Sequence, residues 1–219
     1  DTSRGLGDVY KRQDLTHSSE ATIRRDISAL DRQKKLRRLR GGAETINPHS
    51  IAGLAGRPFA LNKSVNVNKK RAIAKAAVDM CQDGEAIIIN GGTTTFQMVH
   101  YLTSRHLRVL TNSFPIAEHL LNQTQNTVIL PGGTIYREQN IILSSFENDG
   151  SRHFYANKIF MGAQGVGPMG IMEVDSLVVQ AEEKLMGQAD ELVLLVDSSK
   201  FEKRSSLVLC PLERASTII

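Results

Sequence analysis

The chain has 219 residues, 41% hydrophobic and 23% charged, with a formal net charge of +4, a composition that suits a globular protein with room for one domain and a small second one. No apolar run approaches the roughly 18 residues of a membrane span and no apolar signal segment opens the chain, which argues against a membrane partner and makes the cytoplasm the expected compartment. Cys81 and Cys210 lack CxxC spacing and a nearby His, so both are expected as buried small hydrophobes, with no disulfide, metal or cofactor.

The charge is uneven. Residues 1–40 hold 11 Lys and Arg against 6 Asp and Glu, a balance of +5, whereas the remainder hold 16 against 17, a balance of −1. A basic end on a near-neutral body points to nucleic acid.

Residues 1–13, DTSRGLGDVYKRQ, show no amphipathic period and no initiating Met; they are expected to be non-native or disordered. Order begins at Ser19, a good N-cap, with Glu20 suited to a first helical turn. Ile23, Ile27 and Leu30 fall at i, i+4 and i+7 and form an inner stripe, leaving Thr22, Arg24, Arg25 and Ser28 outside it. A helix with a packed back and a basic, hydroxyl-bearing front fits the major groove. The run KKLRRLR over residues 34–40 follows, closed by Gly41 and Gly42. Leu36 and Leu39 can anchor it while Arg37, Arg38 and Arg40 point outward. Helix and wing make the second half of a winged helix-turn-helix, with Ser19, Thr22, Arg24, Arg25, Ser28, Arg37, Arg38 and Arg40 as the expected DNA contacts.

The stretch SEATIRRDISALDRQKKLRRLRGGA resembles the DNA-binding signature of the DeoR family of bacterial sugar-metabolism repressors. That resemblance implies a regulator of a carbohydrate-utilisation operon that binds a double-stranded DNA operator as a homo-oligomer. The family carries two further helices before this point. Residues 14–43 are therefore expected as a partial winged helix-turn-helix that binds DNA poorly by itself.

Residues 44–62 are expected as a linker, punctuated by Pro48, Gly53, Gly56 and Pro58, and residues 63–219 as a second domain. Lys69 to Cys81 reads as a helix with Ile73, Ala76, Ala77 and Met80 inward and Lys70, Arg71 and Lys75 outward. Ala86 to Ile89 has the composition of a buried strand. Asn90, Gly91 and Gly92 cut it off, and Thr93, Thr94 and Thr95 open a segment in which Phe96, Val99 and Leu102 recur as on a helix. A Gly-Gly turn entering a helix N-terminus offers unpaired N–H groups and close backbone approach, which suits a phosphate.

The pattern then alternates. Strands are expected at residues 107–110, 127–130, 158–161, 192–196, 206–209 and 217–219, and helices from Pro115 to Leu121 and Ser176 to Gln188. Alternation indicates α/β architecture with a mostly parallel sheet, which binds ligands at the carboxyl ends of its strands. Five strand ends carry Gly, Thr, Asn, Ser or Lys instead of apolar residues. That convergence is the main sign of a ligand site.

INGGTTT, LTNSFPIA, ILPGGTIY and LVLLVDSSKF resemble the effector-sensing domain of the same family, which is related to ribose-5-phosphate-isomerase-like folds and binds sugar phosphates. The resemblance covers residues 14–219; family members continue past the last strand, so a truncated C-terminus is expected. By position, it implies an effector site made of Gly91, Gly92, Thr93, Thr94, Thr95, Thr111, Asn112, Ser113, Gly132, Gly133 and Lys200, with Gln164 standing where many members have Asp. GIMEVDSLVVQAEEKLM is more similar to the branch containing the L-ascorbate-utilisation repressor, which implies a phosphorylated sugar or sugar acid.

The alternative is a sugar-phosphate isomerase, which needs a general base beside the substrate carbons. The turn at Gly162 to Gly165 offers Gln164 and no acid, Asp197 is the nearest strand-end carboxylate, and Glu173 and Asp175 are harder to place. A sensor needs no acid and is favoured. Nucleotide binding is weak, since neither GxxxxGK[ST] nor GxGxxG follows the first strand. Glu182, Glu183 and Lys184 read as an exposed helical face, and His100, His106 and His153 have no metal-ligand spacing.

Overall fold

The computed structural model describes residues 19–33, 35–39, 42–45, 59–144 and 149–219. The chain divides into two units, Asp1–Gly53 and Leu54–Ile219.

In the first unit, helix α1 (Glu20–Arg32) starts at Ser19, whose hydroxyl accepts the Thr22 backbone N–H at 3.3 Å. Ile23 and Ile27, one turn apart, are buried with Ala43, and Leu36 packs against them. The helix thus sits on an antiparallel hairpin, β1 (Leu36–Leu39) and β2 (Gly42–Thr45), with Leu39 opposite Gly42. Asp31 accepts the Arg38 backbone N–H at 2.9 Å, and the Arg38 guanidinium donates to Ser28 Oγ at 3.1 Å. Strand β2 runs to Thr45, inside the span expected as linker. The calls on residues 1–18, and on most of the expected linker, fall outside the described residues.

The second unit opens with one helical turn, α2 (Phe59–Asn62), and helix α3 (Val67–Asp79). Then come β3 (Ala86–Ile89), a 3-10 helix (Thr95–Tyr101), β4 (Arg108–Thr111), α4 (Phe114–Gln123) and β5 (Thr127–Ile129). A hairpin of β6 (Thr134–Tyr136) and β7 (Ile141–Leu143) precedes β8 (Ala156–Met161), β9 (Gly165–Gly167) and β10 (Gly170–Glu173). Helix α5 (Ser176–Met186), β11 (Ala189–Leu194), β12 (Leu207–Cys210) and β13 (Thr217–Ile218) complete the described elements of regular length.

Six strands form one parallel sheet in the order β13-β11-β8-β3-β4-β5. Alternate side chains of each strand point to opposite faces. Ile87, Ile89, Val109, Phe160 and Val193 pack with Ala74, Val78, Phe96 and Leu120 from α3, the 3-10 helix and α4. Ile88, Leu110, Ile159 and Leu194 pack on the other face with Leu185, Val166, Ile171 and Leu209. That second face is therefore covered by α5 together with a small antiparallel sheet, β12-β10-β9.

Three elements differ from the expectations. The inward face of α3 is Lys70, Ala74, Ala77 and Val78, while Ala76 is exposed and Ile73 and Met80 are half-buried. Lys70 tolerates burial because its ammonium donates to the Asn62 carbonyl at 2.7 Å. The segment after the Gly-Gly turn is a 3-10 helix of 7 residues, not an α-helix. Its buried Phe96, Val99 and Leu102 are spaced by three, the period of a 3-10 helix. Glu182 is not on an exposed face: it is 3% exposed, one turn from buried Val178 and Leu185.

Ile88 is fully buried on the central strand. Ile88→Ala is expected to cost about 2–5 kcal/mol, the range for truncating a buried aliphatic side chain, measured by urea unfolding; a loss below about 1 kcal/mol would place this strand outside the core.

Candidate functional site

From β3 the chain winds through β4 and β5 to one side of the sheet, and from β8 through β11 and β13 to the other. Helical connections then leave the two central strands in opposite directions, and a crevice opens at their carboxyl ends. A crevice of about 100 Å³ lies there, lined by Gly91 to Thr94 after β3, Gly162 to Gln164 after β8, and Asp197, Ser199 and Lys200 after β11. Asn62, Asn66 and Lys70 enter from the α2–α3 side, and Glu173 and Glu182 from β10 and α5.

The Gly-Gly turn is held from below. The Gly91 N–H donates to Asn112 Oδ1 at 2.8 Å, and a Cβ at Gly91 would collide with the Ile141 side chain. Among the described residues no group accepts from the backbone N–H groups of Gly92, Thr93 or Thr94. Thr94 makes no side-chain cap, so the Thr93 and Thr94 hydroxyls join the backbone amides as donors lining the crevice. Asp197 caps the short 3-10 helix Ser198–Lys200, accepting from Ser199 N–H at 2.9 Å and from Asn66 Nδ2 at 3.3 Å. Asn66 has a left-handed φ of 54°, a conformation asparagine tolerates better than most residues.

Glu173, Glu182 and Asp197 share this crevice with Lys200 and Lys203. Burial raises the Glu173 carboxyl to about 7, although the Lys200 charge and the Gln164 N–H, which donates to its Oε1 at 3.1 Å, pull it down. Burial, and then the charge of Glu173, holds Glu182 well above the ordinary carboxylate range. Burial works the same way on Asp197, but hydrogen bonds from Ser199 and Asn66 outweigh it and lower its pKa. For Lys200, burial and then the Lys203 charge lower the pKa, opposed by Glu173 and Asp197. Among the described residues the Lys200 amine has no hydrogen bond or ion pair. The expectation that this site lacks an acid does not hold, so a missing acid is no argument against turnover.

Of the residues expected to bind an effector, Gly91, Gly92, Thr93, Thr94, Gln164 and Lys200 line the crevice. The others are placed elsewhere. Thr95 Oγ1 donates to the Gly92 carbonyl at 3.0 Å, and Thr111 Oγ1 to the Ile89 carbonyl at 2.6 Å. Ser113 Oγ caps α4, accepting from Ile116 N–H at 3.5 Å. Asn112 lines a separate cavity of about 240 Å³ beside α5. Gly132 and Gly133 line neither; Gly133 has φ 148° and a Cβ there would meet the Leu143 carbonyl, so the β6–β7 hairpin accounts for it.

On α1, Thr22, Arg24 and Arg25 are exposed away from the packed stripe. Ser19 serves as the cap, and Ser28 Oγ donates to the Arg24 carbonyl at 2.8 Å while accepting from Arg38. The Arg37 side chain and Arg40 lie outside the described residues. Among the described residues no helix is long and apolar enough to cross a membrane, and no group of three or more His, Cys, Asp or Glu is placed to hold a metal ion. Both cysteines are free and buried, and burial pushes the Cys81 thiol up to about 12.

Comparison with known proteins matches residues 13–49 to the DeoR-like helix-turn-helix domain and residues 65–219 to the DeoR C terminal sensor domain. The chain belongs to the DeoR family of transcriptional regulators. It is 33% identical over 202 residues to the HTH-type transcriptional regulator UlaR of Escherichia coli (strain K12 / DH10B), covering 92% of this chain and 78% of that protein. Identity and coverage are the same for UlaR of Shigella sonnei (strain Ss046). Among solved structures, eIF2B delta from Chaetomium thermophilum shares the fold, with a TM-score of 0.50 at 14% identity, covering 73% of this chain and 58% of that one. Ribose 5-phosphate isomerase A from Methanocaldococcus jannaschii gives a TM-score of 0.47 at 19% identity, covering 62% of this chain and 55% of that one. The regulator thus spans a little over half of either solved chain.

The raised Glu173 carboxyl has a consequence for stability. A carboxyl whose folded pKa lies above its unfolded value stabilises the fold fully below about 4.5, and that contribution disappears as pH rises through about 7. Glu173→Gln is expected to raise Tm relative to the native chain at pH about 8 and to leave the two equal at pH about 4 and below. Parallel Tm–pH curves for the two proteins would contradict a protonated Glu173.

Proposed function

We propose that this DeoR-family regulator is a repressor of a carbohydrate-utilisation operon whose crevice binds a phosphorylated sugar or sugar acid. The observation that carries the reading is the pairing of an unpartnered Lys200 amine with the free N–H groups of Gly92, Thr93 and Thr94 in one crevice. Backbone amides and a lysine ammonium are the donors a phosphate takes. Asn62, Asn66, Gln164, Glu173 and Asp197 supply partners for sugar hydroxyls. Residues 14–43 act as the DNA-binding part, residues 44–62 as the connection and residues 63–219 as the sensor. The regulator works in the cytoplasm as a homo-oligomer on paired half-sites, and Thr22, Arg24 and Arg25 on the exposed face of α1 meet the operator DNA.

The relatives are transcriptional regulators, which favours a sensor that binds without turnover. Glu173 and Glu182 in the crevice are the observation that favours the second reading, a sugar-phosphate isomerase, because either could move a proton.

Calorimetry tests the reading with ribose 5-phosphate, fructose 6-phosphate, 6-phosphogluconate and ascorbate 6-phosphate, each beside its unphosphorylated parent. At least one phosphate is expected to bind, its parent not, and none to be converted. Lys200→Ala should weaken that phosphate by about 1.5–3 kcal/mol, the range for hydrogen bonds to charged groups. Equal affinity for phosphate and parent would eliminate the reading; conversion would favour the isomerase. On DNA, Arg25→Ala is expected to cost about 1–3 kcal/mol at the operator if it reads a base. An even loss across sequences, with a salt slope lower by about one, would assign it to phosphate contact. Unchanged affinity in both Arg24→Ala and Arg25→Ala would remove α1 from the interface.

A further inference from the structure

Glu182 is the one acid of the crevice whose placement the phosphate reading leaves unexplained. It lies on the buried stripe of α5, 3% exposed, yet it lines the crevice. Its Oε1 accepts a hydrogen bond from Asn90 Nδ2 at 2.7 Å, and Asn90 is 1% exposed at the end of β3. Among the described residues its Oε2 has no partner, and neither has Asn90 Oδ1. Two unpartnered oxygens this deep cost the fold free energy, unless a bound molecule completes them.

The neighbours decide the protonation state of Glu182. Glu173, at the end of β10, carries the charge that acts on it directly. Asn90 faces it from β3 without charge. Lys200, after β11, acts on Glu173, and Asp197 and Lys203 act on Lys200. Cys210 on β12 stays a thiol, raised by burial. No described cation makes a hydrogen bond or ion pair to Glu182. Two carboxyls in one buried place do not both ionise readily, so the pair keeps a proton. With Oε1 occupied as an acceptor of the Asn90 amide, the hydroxyl falls to Oε2.

We propose that Glu182 in its acid form donates a hydrogen bond from Oε2 to an acceptor oxygen of the bound sugar phosphate, away from the phosphate group, and that effector binding is therefore linked to a proton. The crevice thus reads an acceptor oxygen on the sugar as well as its phosphate. This inference rests on the sugar-phosphate reading and adds the residue that inspects the sugar. Its sign is fixed. As pH rises, the pair loses its proton, the donor disappears, and a second negative charge comes to stand beside an anionic ligand; affinity falls.

Glu182→Gln keeps a neutral donor and cannot titrate, whereas Glu182→Ala removes the donor. Calorimetry on the full chain, with the four phosphates named above and with inorganic phosphate, compares the three proteins between pH about 6.5 and about 8.5. For the sugar phosphate that binds most tightly, the native chain is expected to lose about 10-fold in affinity across that range relative to Glu182→Gln. At the lower pH, Glu182→Gln should bind within about 3-fold of the native chain and Glu182→Ala about 10-fold more weakly. Ionisation of the ligand's phosphate, near pH about 6, affects all three proteins alike and cancels in the ratio. Inorganic phosphate, which lacks the sugar, should give one profile for all three. A ratio of native chain to Glu182→Gln that does not change with pH would overturn the inference and leave the sugar-phosphate reading standing, as would native affinity in Glu182→Ala. No binding of any of the four phosphates to the native chain overturns the sugar-phosphate reading and the inference together.

Discussion

Burial of both faces of β3 is the constraint from which the site follows. Ile87, Ile88 and Ile89 have no exposed surface, because α3, the 3-10 helix and α4 cover one side and α5 with the small sheet covers the other. A strand enclosed in this way meets solvent only at its ends. At the carboxyl end the chain must turn beneath the β6–β7 hairpin, where the Ile142 N–H donates to the Asn112 carbonyl at 2.7 Å and Ile141 leaves no room for a side chain on Gly91. The same glycines that satisfy this packing leave the amides of Gly92 to Thr94 open to the crevice. Steric fit of the turn and ligand access are thus two results of one geometry.

The crevice is polar beyond what the fold requires. Lys200 and a Glu182 oxygen without a partner among the described residues, and Glu173 raised to about 7, each oppose stability where they stand. Replacing a buried ionisable group by a neutral one of the same shape often stabilises a fold. Their placement together at a strand-end crossing point is what a binding site demands of a scaffold whose stability comes from elsewhere, here from the two apolar layers.

Much of this was legible in the sequence. β3 was readable to the residue because AIII between Gly84 and Asn90 has strand composition and abrupt ends. The parallel sheet and the convergence of polar strand ends were readable because strands and helices alternate with short connections. The hairpin β6–β7 and strands β9 and β10 were not, since runs of three or four residues among glycines carry no measurable period. Glu182 and Lys70 were misread for a shared reason: charged residues in charged surroundings look solvated. A signal was present, because Glu182 follows Val178 by four positions and precedes Leu185 by three, and Lys70 precedes Ala74 by four. Each sits on an apolar stripe, where a charge calls for a partner. The local hydrogen bonds of Thr111 and Ser113 were not legible, because a hydroxyl that caps a helix or closes a strand end has the same sequence signature as one that binds a ligand.

The central claim is that a phosphorylated ligand settles on the turn after β3 and the lysine after β11. Amide hydrogen exchange, followed peptide by peptide with and without the tightest-binding phosphate, tests it most directly. The account predicts slowed exchange in two separate segments, Gly91 to Thr95 and Asp197 to Lys200. Slowing confined to the segments around the other cavity, at Asn112, Thr134 and Leu177 to Leu185, would contradict it.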